Sequence, residues 1–163
     1  KALTGGFPLS ACVGRADLMD AAWPRSTGEA IHTSTFLGHP VGCAMALAQI
    51  KEIRTRNLPA RSAQLGEFFL RELRAHIPPS AYRFEIRGLG LMAGVEIRRP
   101  DGAPSSAAAL GVLQGMLRAG FIVLPEGRHS NIISFTPPLV ITRPQLAAAA
   151  RAFGHALKNL PAP

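Results

Sequence analysis

The chain has 163 residues, 47% of them hydrophobic and 17% charged, with 16 Gly, 14 Pro and 2 Cys. That composition excludes a disordered chain and allows one domain, or one and a fraction, with a core of ordinary size. It also excludes a disulfide scaffold or an all-cysteine zinc site, and no stretch reaches the roughly 18 uninterrupted apolar residues of a membrane helix. The opening Lys1-Ala2-Leu3-Thr4-Gly5-Gly6 has neither an initiator Met nor a signal-peptide pattern, so the sequence is expected to begin inside a longer protein.

The formal net charge is +8, from 18 Lys+Arg against 10 Asp+Glu. The basic residues are scattered along the chain rather than gathered into one stripe. The densest group, Lys51-Glu52-Ile53-Arg54-Thr55-Arg56, is interrupted by an acid and contains no aromatic for base stacking. A solvated helix face explains it, and no nucleic-acid partner is expected.

In chain order, residues 1–14 read as a tight Gly-rich loop entering a short buried strand at Ala11-Cys12-Val13-Gly14. Cys12 and Cys43, flanked by small apolar residues, read as buried packing groups. Asp17 to Ala22 form a helical turn stopped by Pro24, and residues 25–38 a polar loop. A helix opens near Pro40 and runs to about Arg56. Asn57-Leu58-Pro59 breaks it, and a second helix carries Leu65, Phe68, Phe69 and Leu73 at helical spacing until Pro78. Tyr82–Arg87 and Leu91–Ile97 read as strands joined through Gly88-Leu89-Gly90. A helix over 105–119 is closed by Gly120. Short strands follow at Phe121–Leu124 and Asn131–Phe135. Thr142 caps a last helix running to about Leu160, with Pro144 in its first turn.

This order predicts a compact α+β domain over 57–163. Residues 1–56 hold too few elements to close a core and are expected to be the tail of a larger α/β domain.

Two segments carry residues of chemical interest. Lys1 lies beside the glycine pair Gly5-Gly6, where the backbone can approach a flat ligand closely. A lysine amine becomes nucleophilic when burial lowers its pKa, although a surface lysine in a turn explains the same residues. The run His32-Thr33-Ser34-Thr35-Phe36-Leu37-Gly38-His39-Pro40 is a hydroxyl-rich loop leading into a helix. It suits a phosphate, or simple N-capping, equally well. His32 and His39 have no third or fourth ligand at useful spacing, so no metal site is expected.

In this order the segments resemble the C-terminal portion of a class III aminotransferase, of the ornithine and 4-aminobutyrate type. This is a fold-type I enzyme dependent on pyridoxal phosphate (PLP). Lys1-Ala2-Leu3-Thr4-Gly5-Gly6-Phe7-Pro8-Leu9-Ser10 is similar to the family's lysine segment, and His32 to Pro40 to its threonine loop. Arg87-Gly88-Leu89-Gly90-Leu91-Met92 and Phe135-Thr136-Pro137-Pro138-Leu139 resemble segments of its C-terminal domain.

The resemblance implies an α/β fold in two parts: the end of the large PLP-binding domain over 1–56 and the small C-terminal α+β domain over 57–163. It implies that Lys1 forms the Schiff base with PLP and shuttles the substrate proton. Thr35, with Ser34 beside it, would bind the PLP phosphate of a neighbouring subunit, hence a homodimer, cytoplasmic in location. Arg87 would brace the C-terminal domain.

One position departs from the family's pattern. Many relatives carry an Arg just before the Phe matching Phe135, where it clamps a substrate carboxylate. Here Ser134 occupies it, so Arg128 on the nearby loop is the candidate anchor, unless the substrate lacks a carboxylate there. The family's Asp for the pyridine nitrogen, its ring-stacking aromatic and its first phosphate loop all precede the lysine; Asp17 and Asp20 follow it. The 163 residues alone are therefore expected to be an inactive fragment. The alternatives are an aminomutase or decarboxylase of the same class, or a non-catalytic basic interaction module.

Overall fold

A computed structural model describes residues 3–28 and 35–162. The chain divides into two compact units, Lys1–Arg56 and Asn57–Pro163. In the first, α1 (Ala16–Ala22) and α2 (Pro40–Thr55) are the helices. The buried strand expected at residues 11–14 is absent: this stretch is irregular, with Val13 93% exposed and Cys12 exposed as well. Among the described residues of this unit no strand lies beside it, so its backbone has no ladder to join there. Cys43, in the first turn of α2, is half-buried.

The second unit runs α3 (Leu58–Ala75), β1 (Arg83–Leu89), β2 (Met92–Arg98), α4 (Ser106–Arg118), β3 (Leu124–Glu126), β4 (Ile132–Phe135) and α5 (Arg143–Lys158). The four strands form one antiparallel sheet in the order β1-β2-β4-β3. Local signals fix the helix ends. Asn57 adopts the left-handed conformation between α2 and α3, with φ 47°. Ser105 caps α4, and Gly120 ends it at φ 85°. Thr142 and Gln145 form a reciprocal capping box on α5, satisfying two otherwise orphaned groups.

Strand alternation sorts the sheet into two faces. Ala93, Val95 and Ile97 of β2 and Ile133 and Phe135 of β4 point to the helices and are buried with Leu73, Met116 and Phe153. Phe135 stands edge-on between Phe69 and Phe153, with ring centroids 5.3 and 5.6 Å away. The β1–β2 turn is tighter than expected: β1 continues through Gly88 and Leu89, and only Gly90 and Leu91 turn, Gly90 at φ 55°. Here α3 comes close. A Cβ on Gly66 would lie 2.0 Å from the Gly90 carbonyl oxygen, and Leu91 N donates to Ser62 Oγ at 3.1 Å.

The strand expected at Phe121–Leu124 begins only at Leu124. Residues 121–123 are unpaired, and pairing includes Pro125, which an edge strand accepts because the missing N–H faces no partner. Among the described residues no helix is long and apolar enough to cross a membrane.

Candidate active-site residues

In the first unit, the Thr4 hydroxyl organises the glycine turn. Thr4 is buried, and its Oγ1 accepts from Phe7 N at 2.9 Å while also bonding the Phe7 carbonyl. Gly5 and Gly6 then take φ 73° and 152°, conformations that side-chain-bearing residues rarely adopt. Phe7 packs on the start of α2: its ring would lie 3.2 Å from a Cβ on Gly42, and its centroid is 5.0 Å from that of His39.

Thr35 opens an exposed turn over residues 35–38, directly before α2. The N-cap of α2, His39, makes no side-chain capping bond. Pro40 fills the first turn, and that turn contains no acid. A helix N-terminus without a cap from its N-cap side chain, with no acid in its first turn and a hydroxyl-rich sequence ahead of it, suits an anionic group such as a phosphate. Lys1, His32, Thr33 and Ser34 lie outside the described residues.

In the second unit, the sheet face opposite the helices carries arginines and glutamates alongside the exposed Leu89, Met92 and Leu124. Reading the register across it, Arg87, Gly94, Ser134 and Leu124 stand in one row over β1, β2, β4 and β3. The next row holds Glu85, Glu96, Ile132 and Glu126. Glu96 is the buried acid of this face, and its carboxylate is covered by arginines. Arg87 Nη1 lies 2.9 Å from Oε2 and Arg98 Nη2 2.5 Å from Oε1, while Asn131 Nδ2 donates to Oε1 at 3.3 Å. Burial alone pushes the Glu96 carboxyl up. The Arg87 hydrogen bond, then Asn131 and the charges of Arg98 and Arg87, outweigh it and hold the group below its ordinary value. Arg87 Nη1 also meets Glu85 Oε1 at 3.3 Å.

Ser134 and Arg128 are not brought together by the hairpin. Ser134 pairs with Leu124 at one end, whereas the last rung toward the loop is Glu126↔Ile132, with exposed Arg128 beyond it. At about 3.3 Å per residue, two rungs and part of the loop separate them. Ser134 also borders an apolar cavity of about 420 Å³ among Phe69, Phe121, Ile122, Thr136, Pro137 and Gln145. Sequence reasoning missed the Arg87–Gly94–Ser134 row. Each strand's alternation was legible, but the pairing offset between strands far apart in the chain was not.

The family model for class-III aminotransferases matches residues 1–157. The chain belongs to the class-III aminotransferase family. It is 35% identical over 160 residues to an acetylornithine aminotransferase of Methanothermobacter thermautotrophicus, covering 98% of this chain and 37% of that protein. To a probable 4-aminobutyrate aminotransferase of Bacillus subtilis it is 37% identical over 150 residues, covering 87% of this chain and 32% of that one. The crystal structure of acetylornithine aminotransferase from Elizabethkingia anophelis superposes with a TM-score of 0.79 at 30% identity, over 98% of this chain and 39% of that chain. The fold is thus that of part of a fold-type I transferase. The chain spans about a third of the length of the curated relatives it matches.

Proposed function

We propose that this class-III chain serves a PLP-dependent aminotransferase, which moves an amino group from an amine or amino-acid donor to a keto acid or aldehyde. The observation that carries this reading is the family match over residues 1–157, whose span includes both Lys1 and Thr35. Class-III aminotransferases depend on PLP, and the N-terminus of α2, with no cap from His39 and no acid in its first turn, fits the cofactor's phosphate. Bound there, PLP supplies the electron sink for breaking a bond at the donor's Cα.

In this reading Lys1 would hold the cofactor through Nζ and, as a free amine, would carry the proton between the donor's Cα and the cofactor's aldehyde carbon. Thr35 donates its hydroxyl to the phosphate, with Ser34 beside it, and serves the neighbouring subunit of a cytoplasmic homodimer. Gly5 and Gly6 give the turn after Lys1 a backbone that keeps side chains away from the cofactor ring. Ser134 lies on the substrate side. Arg128, beyond the hairpin's last rung, would reach it only by movement of its loop. Residues 1–56 form the tail of the large PLP-binding domain and residues 57–163 the small C-terminal domain. Support for that division comes from the boundary between the units at Arg56 and Asn57.

The test is a panel of amino donors against pyruvate and 2-oxoglutarate, run on the full-length protein with PLP. Amino-acid product formed in proportion to donor consumed is the expected result. Carbon dioxide release or an intramolecular amino shift, without a new amino acid from the acceptor, would replace this reading with a sister reaction on the same scaffold.

A further inference from the structure

Glycines let α4 and α5 pack closely. A Cβ on Gly115 would lie 2.8 Å from Ala156 Cβ, and one on Gly111 3.0 Å from Leu160 Cδ2, so the two helices run antiparallel. Their other sides are held by the core, α4 through Val112 and Met116 and α5 through Leu146 and Phe153. With so little bulk at the seam, Gly111, Gly115, Ala152 and Ala156 floor a groove of about 780 Å³ between the helices. That volume lies within the range of small-molecule sites.

Polar side chains make the walls: Gln114 and Arg118 from α4, and Arg151, His155 and Asn159 from α5. The antiparallel offset gathers Arg118, Arg151 and His155 at one end. Gln114 and Asn159 lie farther along, toward Leu160 and Pro161. From Gly111 to Arg118 is seven residues of helix, roughly 10 Å at about 1.5 Å per residue. The groove thus has a cationic end and a neutral, hydrogen-bonding end.

No acid offsets the cationic end. Among the described residues neither Arg118 nor Arg151 makes an ion pair or a side-chain hydrogen bond. α4 and α5 contain no Asp or Glu. Residues 102–163 carry five Lys and Arg against one acid, Glu126, and it stands in the Glu96 row on the sheet face away from the helices. The acids Glu67 and Glu72 belong to α3, which meets α5 through Gly154, on a different side from Ala152 and Ala156. The helix dipole accounts for Arg118, in the last turn of α4, but not for Arg151 in the middle of α5. Two guanidinia lining one acid-free groove repel each other, and an anion between them relieves that repulsion. Their planar forks match phosphate oxygens.

We propose that the α4–α5 groove binds an organic phosphate, a mononucleotide or a sugar phosphate. Arg118 and Arg151 hold the phosphate, with His155 beside them, and the body of the ligand lies along Gln114 and Asn159. The site is built from the second unit alone and does not rest on the aminotransferase reading.

The test is calorimetry on the full-length protein, loaded with PLP and desalted, at about 0.15 M salt so that unspecific charge attraction is screened. Adenosine 5′-monophosphate and glucose 6-phosphate are titrated as the two candidate ligands, with adenosine, glucose and inorganic phosphate as controls. One of the two phosphates should bind at submillimolar concentration, at least tenfold more tightly than inorganic phosphate, and its uncharged counterpart should not bind. Arg118→Gln and Arg151→Gln should each weaken that binding tenfold or more. Both residues are exposed and without partners, so the urea midpoints of these variants should stay at the parent value. Arg71→Gln, at an exposed arginine of α3 outside the groove, should change nothing. Failure of both ligands to bind at millimolar concentration would overturn the proposal. So would binding that survives both groove substitutions, or that falls equally in Arg71→Gln, which would mark a diffuse basic surface. Inorganic phosphate binding as tightly as either ligand would also overturn it, because the neutral half of the groove would then hold nothing.

Discussion

The two units contain helices of equal length that do opposite things. Both α2 and α5 have 16 residues with Pro in the first turn. α5 closes its N-terminus with the Thr142–Gln145 capping box and buries seven residues, Leu146 and Phe153 among them. α2 has no side-chain cap, buries only Gly42 and Ala46, and leaves Leu47 and Ile50 exposed. Helix length and propensity are thus not what makes a core. A core forms where a sheet and two further helices cover the apolar stripe, as they do in 57–163. What α2 offers instead is an end that its N-cap side chain, His39, does not cap, the property an anion site needs.

Separating the two units would break this comparison most sharply. Residues 57–163 expressed alone should unfold cooperatively in urea, whereas residues 1–56 alone should show no cooperative transition. A cooperative transition in the shorter piece would mean that its buried positions are enough for a core. Within the intact chain, Phe153→Ala should cost about 3–5 kcal/mol, because Phe153 is fully buried against Phe135. Leu47→Ala, at a residue 69% exposed, should stay within about 0.5 kcal/mol by the same urea midpoints.

Gly66→Ala sharpens the picture at one contact. Its Cβ would meet backbone rather than a yielding side chain, so a loss of about 1–3 kcal/mol is expected, together with hydrogen-exchange changes at the Gly90 turn. The smallest effect belongs to Glu96, whose folded-state pKa lies below its ordinary value of 4.5. Its ion pairs therefore contribute stability above that pH, and the contribution is lost as the pH falls through the folded value. Glu96→Gln should flatten the acid limb of the stability curve; an unchanged limb would show that other carboxylates carry it.

How much of this was legible in the sequence differs between the units for the same reason. The helix ends were readable because Pro40, Asn57, Gly120 and Thr142 act on their own neighbours. The Gly90 turn was misplaced by two residues because its position depends on α3 approaching through Gly66, a contact made across the fold. The strand expected at residues 11–14 failed because apolar composition predicts burial only when something covers it. Of the candidate site, Thr35 before α2 was legible as a local motif. The alignment of Arg87, Gly94 and Ser134 was not, because it is created by pairing between strands some forty residues apart.

The central claim is that Lys1 holds the cofactor, and chemical trapping tests it directly. The full-length protein, loaded with PLP, is reduced with borohydride, digested and mapped by mass spectrometry. The lysines of this chain are Lys1, Lys51 and Lys158. A phosphopyridoxyl group on Lys1 alone, lost when the donor is added before reduction, is the predicted result. Label on Lys51 or Lys158, or on none of the three while the protein still turns over amines, would contradict it.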